Sequence, residues 1–249
     1  MNIVTRTSAT RVNPKTLLAY GLPKIGKTTA FSKLEDSVIV DLNDETAMLD
    51  NVVVYPIEGN SNLQKLASLQ NFIKEAIEHK QTTNEYVKKY IIIDNTTVLS
   101  ILLEDAALAT FKRNAPDKQE IKDELSSIFD LAHGRGEKFY REEWYRYMSL
   151  LESCCETVIF IGHVKDKMLS ESLGESVTVT DIDLRGKLSS IIPSKCDATA
   201  YMYRDITNRL IFSFKANKNS VGSRCKHLRN TEIVISDSED SFNFDKLFI

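Results

Sequence analysis

The chain has 249 residues, 42% hydrophobic and 27% charged, with a formal net charge of −3. This is the composition of an ordinary soluble globule, long enough for one large α/β domain with a real hydrophobic core. A faintly acidic total excludes a global basic field, so any grip on nucleic acid must come from a local patch.

Residues 1–13 are polar and β-branched, with Arg6 and Arg11, and read as a flexible arm or an edge strand. Thr16 to Tyr20 is a short buried strand, and Thr29 to Leu34 a helix. Ser37 to Asp41 and Asn51 to Tyr55 are two further apolar runs that suit parallel strands buried on both faces, the second stopped by Pro56. Asn62 to His79 has helical spacing, with Leu63, Leu66, Ile73 and Ile77 on one face. Tyr90 to Asp94 is a fourth strand with an acid at its tip. Helices are expected over Val98 to Phe111 and Lys118 to Leu131, and the His133-Gly134-Arg135-Gly136 stretch breaks the pattern. The next helix carries Tyr140, Trp144, Tyr147, Met148, Leu151 and Cys155 on one stripe, which reads as core rather than as a ligand site.

Thr157 to His163 is a fifth buried strand ending in a polar residue. Residues 164–190 carry both signs of charge with little periodicity, and a loop this long in a compact domain is usually functional or disordered. Asp197 to Tyr203 and Leu210 to Lys215 form an antiparallel hairpin, and Thr231 to Ile235 a last strand. The division is therefore an arm over 1–13, one domain over 14–236 and an acidic tail over 237–249. The four cysteines, Cys154, Cys155, Cys196 and Cys225, lack metal-ligand spacing and fit a reduced compartment. No apolar run approaches the roughly 18 residues of a membrane helix, and no signal peptide opens the chain. A cytoplasmic protein without a membrane partner is expected.

Strands alternating with helices predict a mostly parallel sheet with helices on both faces and an antiparallel hairpin near the C-terminus. Ligands collect at the carboxyl ends of such strands. Four groups fall there: the segment after the first strand, the acids at 41–45, Asp94 and His163. The first of these, Gly21-Leu22-Pro23-Lys24-Ile25-Gly26-Lys27-Thr28, fits the phosphate-loop spelling G-x-x-x-x-G-K-[ST], and Thr29 directly after it is a further nucleotide-binding candidate. Glycines let backbone amides turn toward phosphate oxygens, Lys27 reaches the β- and γ-phosphates of ATP, and the Thr28 hydroxyl binds Mg²⁺. Asp94, after four apolar residues, is the second metal-site candidate, although Asp at a strand end also serves as a helix cap. Hydrolysis further needs a group that orients or deprotonates water. Glu45 is the first choice by reach, Asp41 the second and Asp44 the third. His163 is a candidate sensor of the γ-phosphate at the head of the long segment that follows it.

Together these features resemble the RecA-like ATPase core. They are most similar to compact phage RecA-like proteins of the single-strand annealing type, grouped with phage nucleotide-binding AAA-type ATPases. The residues that carry the resemblance are Tyr20 to Thr29, Val38 to Asp41 with Glu45, Ile91 to Asp94, Ile159 to His163 and Ser194 to Ala198. The resemblance implies an oligomeric ATPase, as a ring or filament, that binds single-stranded DNA and promotes annealing or strand exchange in phage recombination. A single-strand DNA-binding protein is a further implied partner, and the host cytoplasm the place of action. It implies that Glu45 activates water, that His163 couples nucleotide to a DNA loop within 164–190, and that Lys215, Lys218 or Arg224 reaches the ATP of a neighbouring subunit. Two departures stand out. A histidine replaces the amide common at position 163, and in the DNA segment Lys165, Lys167, Arg185 and Lys187 are offset by Asp166, Glu171, Glu175, Asp181 and Asp183.

Two other classes compete. A nucleotide-gated binding or loading module would assemble on ATP with negligible turnover. A small-molecule kinase would close an arginine-rich lid, whereas residues 164–190 hold only Arg185.

Overall fold

In the computed structural model, which describes residues 9–114, 125–170, 176–216, 222–238 and 241–249, the sheet is the organising element. It runs β3-β2-β4-β5-β1-β7-β8-β9, with β6 paired to the far end of β5. The parallel part is β1 (Thr16–Gly21), β2 (Ser37–Asp41), β3 (Val54–Pro56), β4 (Tyr90–Asp94), β5 (Thr157–Ser170) and β7 (Ala198–Arg204). The strands β8 (Leu210–Ser213) and β9 (Glu232–Ser236) extend it in antiparallel fashion. This is the expected α/β architecture of a P-loop NTPase core.

The apolar runs are continuous because both faces of each strand are covered. Leu18, Tyr20, Ile91, Ile93, Val158 and Phe160 point into one core with α2 (Asn62–Thr83), α3 (Thr96–Asn114) and α4 (Arg135–Cys154). Their alternates Leu17, Ala19, Tyr90, Ile92, Ile159 and Ile161 point into a second core with α1 (Lys27–Ser32) and C-terminal residues. The aromatic stripe on α4 is core, with Trp144 and Tyr147 fully buried.

Several elements differ from expectation. The third strand is confined to Val54–Pro56, short enough to end on proline at the sheet edge. Of the helix expected over Lys118 to Leu131, residues 118–124 lie outside the described residues. The rest is a 3₁₀ turn, Ile128–Asp130, closed by a capping box between Ser127 and Asp130.

The largest difference is at 164–190. Strand β5 continues past the sheet to Ser170 and pairs with β6 (Ser176–Ile182), Val164 opposite Ile182 and Ser170 opposite Ser176. A helix, α5 (Leu188–Lys195), follows. Cross-strand hydrogen bonds tie the two strands together, and Val164, Ile182 and Leu184 meet the core at the base of the hairpin, while the mixed charges of the segment mask its periodicity.

The acidic tail is anchored. Leu247 is fully buried, Phe244 stacks on Phe31 of α1 at 6.2 Å, and Phe248 meets Tyr90 at 4.6 Å. Asn13 holds Ile249 by two reciprocal hydrogen bonds of 2.7 and 2.9 Å. All four cysteines are free thiols, three of them buried.

Candidate active site

Parallel register brings the site together. Gly21 lies level with His163, Asp41 with Asp94, and Asp94 with Ile161 two residues before His163. The loop between Gly21 and Lys27 leaves the central strand β1, whose neighbours β5 and β7 both come later in the chain. It thus opens at the carboxyl edge, where open α/β sheets take their ligands.

The loop backbone demands its glycines. A Cβ on Gly21 would lie 2.3 Å from the Met202 carbonyl oxygen, and Gly26 sits at φ +98°. Lys27 is 5% exposed, and its ammonium donates to the carbonyls of Gly21 at 3.1 Å and Leu22 at 2.7 Å. Burial lowers its pKa to about 8, although the Asp94 and Glu45 charges oppose that shift. A cation held, among the described residues, by carbonyls in a desolvated loop is ready for an anion.

Thr28 donates to Asp94 at 2.6 Å. Asp94 is 2% exposed, and burial raises its pKa to about 6 against the pull of the Thr28 hydrogen bond, with Glu45 and Asp41 raising it further. A hydroxyl and a carboxylate in contact are hard oxygen donors of the kind Mg²⁺ takes when phosphate and water complete its shell. The residues present therefore fit the ion, and its charge would hold Asp94 ionised.

Among the acids at 41–45 the structure discriminates. Asp41 is buried and accepts hydrogen bonds from the amides of Asn43, Glu45 and Thr46 and from the Thr46 hydroxyl. Burial alone would raise its pKa, but those bonds outweigh it and hold the pKa low. Its lone pairs are committed to the turn, so Asp41 builds the loop that carries Glu45. Asp44 is exposed at φ +60°. Glu45 is exposed, and one carboxylate oxygen accepts from the Asn95 side-chain amide at 3.1 Å.

His163 is half-buried and its Nδ1 has no partner among the described residues. Burial lowers its pKa, and the Lys27 charge lowers it further, while Glu45 and Asp183 act the other way. Lys27 and Glu45 thus lie within electrostatic reach of both Asp94 and His163.

The basic candidates stand elsewhere. Lys215 is ion-paired with Glu232 at 2.7 Å, and Arg224 with Asp197 at 3.8 Å. Asp197 immediately precedes β7, and Lys215 follows β8, which runs back along β7 with Ser213 opposite Tyr201. Both therefore sit toward the amino edge of the parallel strands, the end opposite the phosphate loop. Lys218 lies outside the described residues.

Sequence reading missed Arg204. At the carboxyl end of β7, its Nε donates to the Ile25 carbonyl at 3.0 Å and another nitrogen to Asn208 at 2.6 Å. It braces the phosphate loop from 179 residues away in sequence. Arg204→Ala should loosen that loop and weaken ATP affinity roughly fivefold, the equivalent of about one hydrogen bond, in a fluorescent-nucleotide titration. Unchanged affinity would show that the brace is dispensable.

A family model described as an AAA domain matches residues 13–234 of the chain. No curated protein matches it at a significant level.

Proposed function

The chain belongs to the AAA-domain family, a family of P-loop nucleotide-binding ATPases, and from that premise we propose that it hydrolyses ATP to drive annealing or strand exchange of single-stranded DNA in phage-type recombination. In the proposed reaction, amides of the 21–28 loop and the Lys27 ammonium hold the phosphates. Thr28 and Asp94 would hold Mg²⁺, which would supply positive charge to neutralise the phosphates. Glu45 accepts a proton from the attacking water as its oxygen bonds the γ-phosphorus and the bond to the ADP oxygen breaks. Lys27 and the loop amides hold the charge left on ADP.

The observation that carries the DNA reading is the continuity of β5. One strand passes from the sheet through His163 into the β5–β6 hairpin. The Asp183 amide, just after the hairpin, donates back to the His163 carbonyl at 2.8 Å. Beside the base of the hairpin lies a groove of about 890 Å³, lined by Lys138, Arg141, Lys165 and Lys187 against Glu137 and Asp181. The first residues of α4 and α5 open into it, and neither helix has a side-chain cap on its N-terminus. Helix N-termini without side-chain caps and an excess of cations suit a phosphate backbone. Nucleotide state at His163 and DNA in the groove would then bias one continuous strand.

Assembly is proposed to be head-to-tail. Lys215 and Arg224 cannot serve their own phosphate loop from the amino edge, but stacked subunits would bring them to a neighbour's, and Lys218 is proposed for the same role from its sequence position alone. A single-strand DNA-binding protein is the further proposed partner, and the cytoplasm of a phage's host the proposed location.

ATP turnover with and without single-stranded DNA, at two salt concentrations, tests this. Stimulation that weakens as salt rises is expected. Arg141→Ala with Lys187→Ala should keep the basal rate and lower the salt slope of DNA binding by about one for each phosphate that is no longer neutralised. Turnover indifferent to DNA at both salts would overturn the DNA reading. ATP-dependent DNA binding with negligible turnover would favour a nucleotide-gated loading module instead.

A further inference from the structure

We propose that Asn95 is the positioning residue that aims Glu45 at the phosphate site, an inference that rests on the reading of Glu45 as the acceptor of water's proton. Asn95 follows Asp94 at the end of β4 and is 3% exposed. Its side-chain oxygen accepts from the Val98 amide at 3.0 Å, capping α3. Its side-chain nitrogen donates to Glu45 at 3.1 Å.

The two bonds fix each other. The helix amide can only donate, so it takes the oxygen end of the Asn95 amide. The nitrogen end must then face the carboxylate, and a flipped amide would break both bonds. An asparagine here does what an aspartate cannot: both residue types cap a helix well, but only the amide also offers a donor.

Glu45 needs this support. Its side chain is exposed on a turn, with several rotatable bonds and nothing else among the described residues bonded to its carboxylate. Its backbone amide is already tied to Asp41 at 3.0 Å, at the tip of β2. Asn95 adds a second anchor from the tip of the adjacent strand β4. One carboxylate oxygen is held and the other is left for water. Ground-state affinity for nucleotide does not depend on that bond, because Lys27 and the loop amides provide it. The orientation of the base does.

The test is a kinetic cycle on the full chain with ATP and Mg²⁺. Asn95→Ser keeps a good cap but is too short to reach Glu45, and Asn95→Asp keeps the size and the cap but turns the donor into an acceptor. Each should lower kcat by about tenfold or more with KM changed by less than about twofold, as expected when an orienting hydrogen bond is removed. Thermal melting, followed in parallel, should stay near wild type for Asn95→Ser and fall for Asn95→Asp, which adds a buried charge beside Asp94 and Glu45. In a Glu45→Gln background, followed by single turnover with protein in excess, adding Asn95→Ser should change the residual rate by less than about twofold. An unchanged kcat in both Asn95 variants overturns the proposal. So does an equal loss in the Glu45→Gln background, since Asn95 would then act through something else. Full turnover by Glu45→Gln alone overturns the reading of Glu45 and the proposal with it.

Discussion

Replacing Lys27 with methionine should abolish measurable ATP binding and, at the same time, make the nucleotide-free protein harder to melt. The two effects share one cause. An ammonium that is 5% exposed and, among the described residues, bonded to two loop carbonyls has given up water without a full counter-charge. Its pKa falls from 10.5 to about 8 for that reason. Between those values the unfolded chain binds more protons than the folded one, so stability should rise with pH across that window. Below about pH 8 the penalty is present in full. Methionine has a similar length and no charge, and should recover on the order of 1–3 kcal/mol at neutral pH.

The same substitution removes the charge proposed to meet the phosphates. Wild-type protein should therefore melt higher as ATP and Mg²⁺ are added, by mass action, while the variant should start higher and not respond. Thermal melts with and without nucleotide, at pH 7 and pH 9.5, check both halves. ATP binding that survives the change would mean that the 21–28 loop is not the phosphate site. A variant no more stable than wild type would mean that the buried ammonium is better satisfied than its hydrogen bonds indicate.

Glu45→Gln should leave ATP affinity within about twofold and slow turnover by at least about a hundredfold, the usual scale for removal of a general base. The glutamine can still accept from Asn95, so the turn should keep its shape. Asp41→Asn offers the contrast. It disturbs a carboxylate that gathers three amides and a hydroxyl, and its main result should be a less stable 41–46 turn with loss of both binding and turnover. Pre-steady-state ATP hydrolysis alongside equilibrium nucleotide binding separates the two. Normal turnover by Glu45→Gln would move the proton acceptor elsewhere, with His163 the next group within electrostatic reach of Lys27.

The stability of the phosphate site also depends on the chain's far end. Phe31 on α1 packs against Phe212 of β8 and Phe244 of the tail, so the helix that follows the loop is held from the second core. Arg204 holds the loop from the other side.

What the sequence determined by itself is whatever depends on neighbours a few residues apart. The phosphate loop is legible because glycine backbone freedom and the Lys27-Thr28 pair are properties of eight consecutive residues. The strands are legible because burial on two faces writes an unbroken apolar run ending in Asp94 or His163. The α4 stripe is legible because a helix repeats every 3.6 residues. Even the second half of the β5–β6 hairpin left a trace in the alternation Val177-Thr178-Val179-Thr180, though the mixed charges around it hide the signal.

Tertiary structure decided which of these groups meet. Reach alone ranked Glu45 ahead of Asp41, but only the fold shows that Asp41 is tied into its turn and that Glu45 meets Asn95, 50 residues on. Arg204 reached the loop only when β7 paired with β1. The tail and Lys215 were assigned their surroundings by packing and by strand direction. Such interactions join distant segments through register and core packing, and a one-dimensional pattern carries periodicity but not the partner that each period will face.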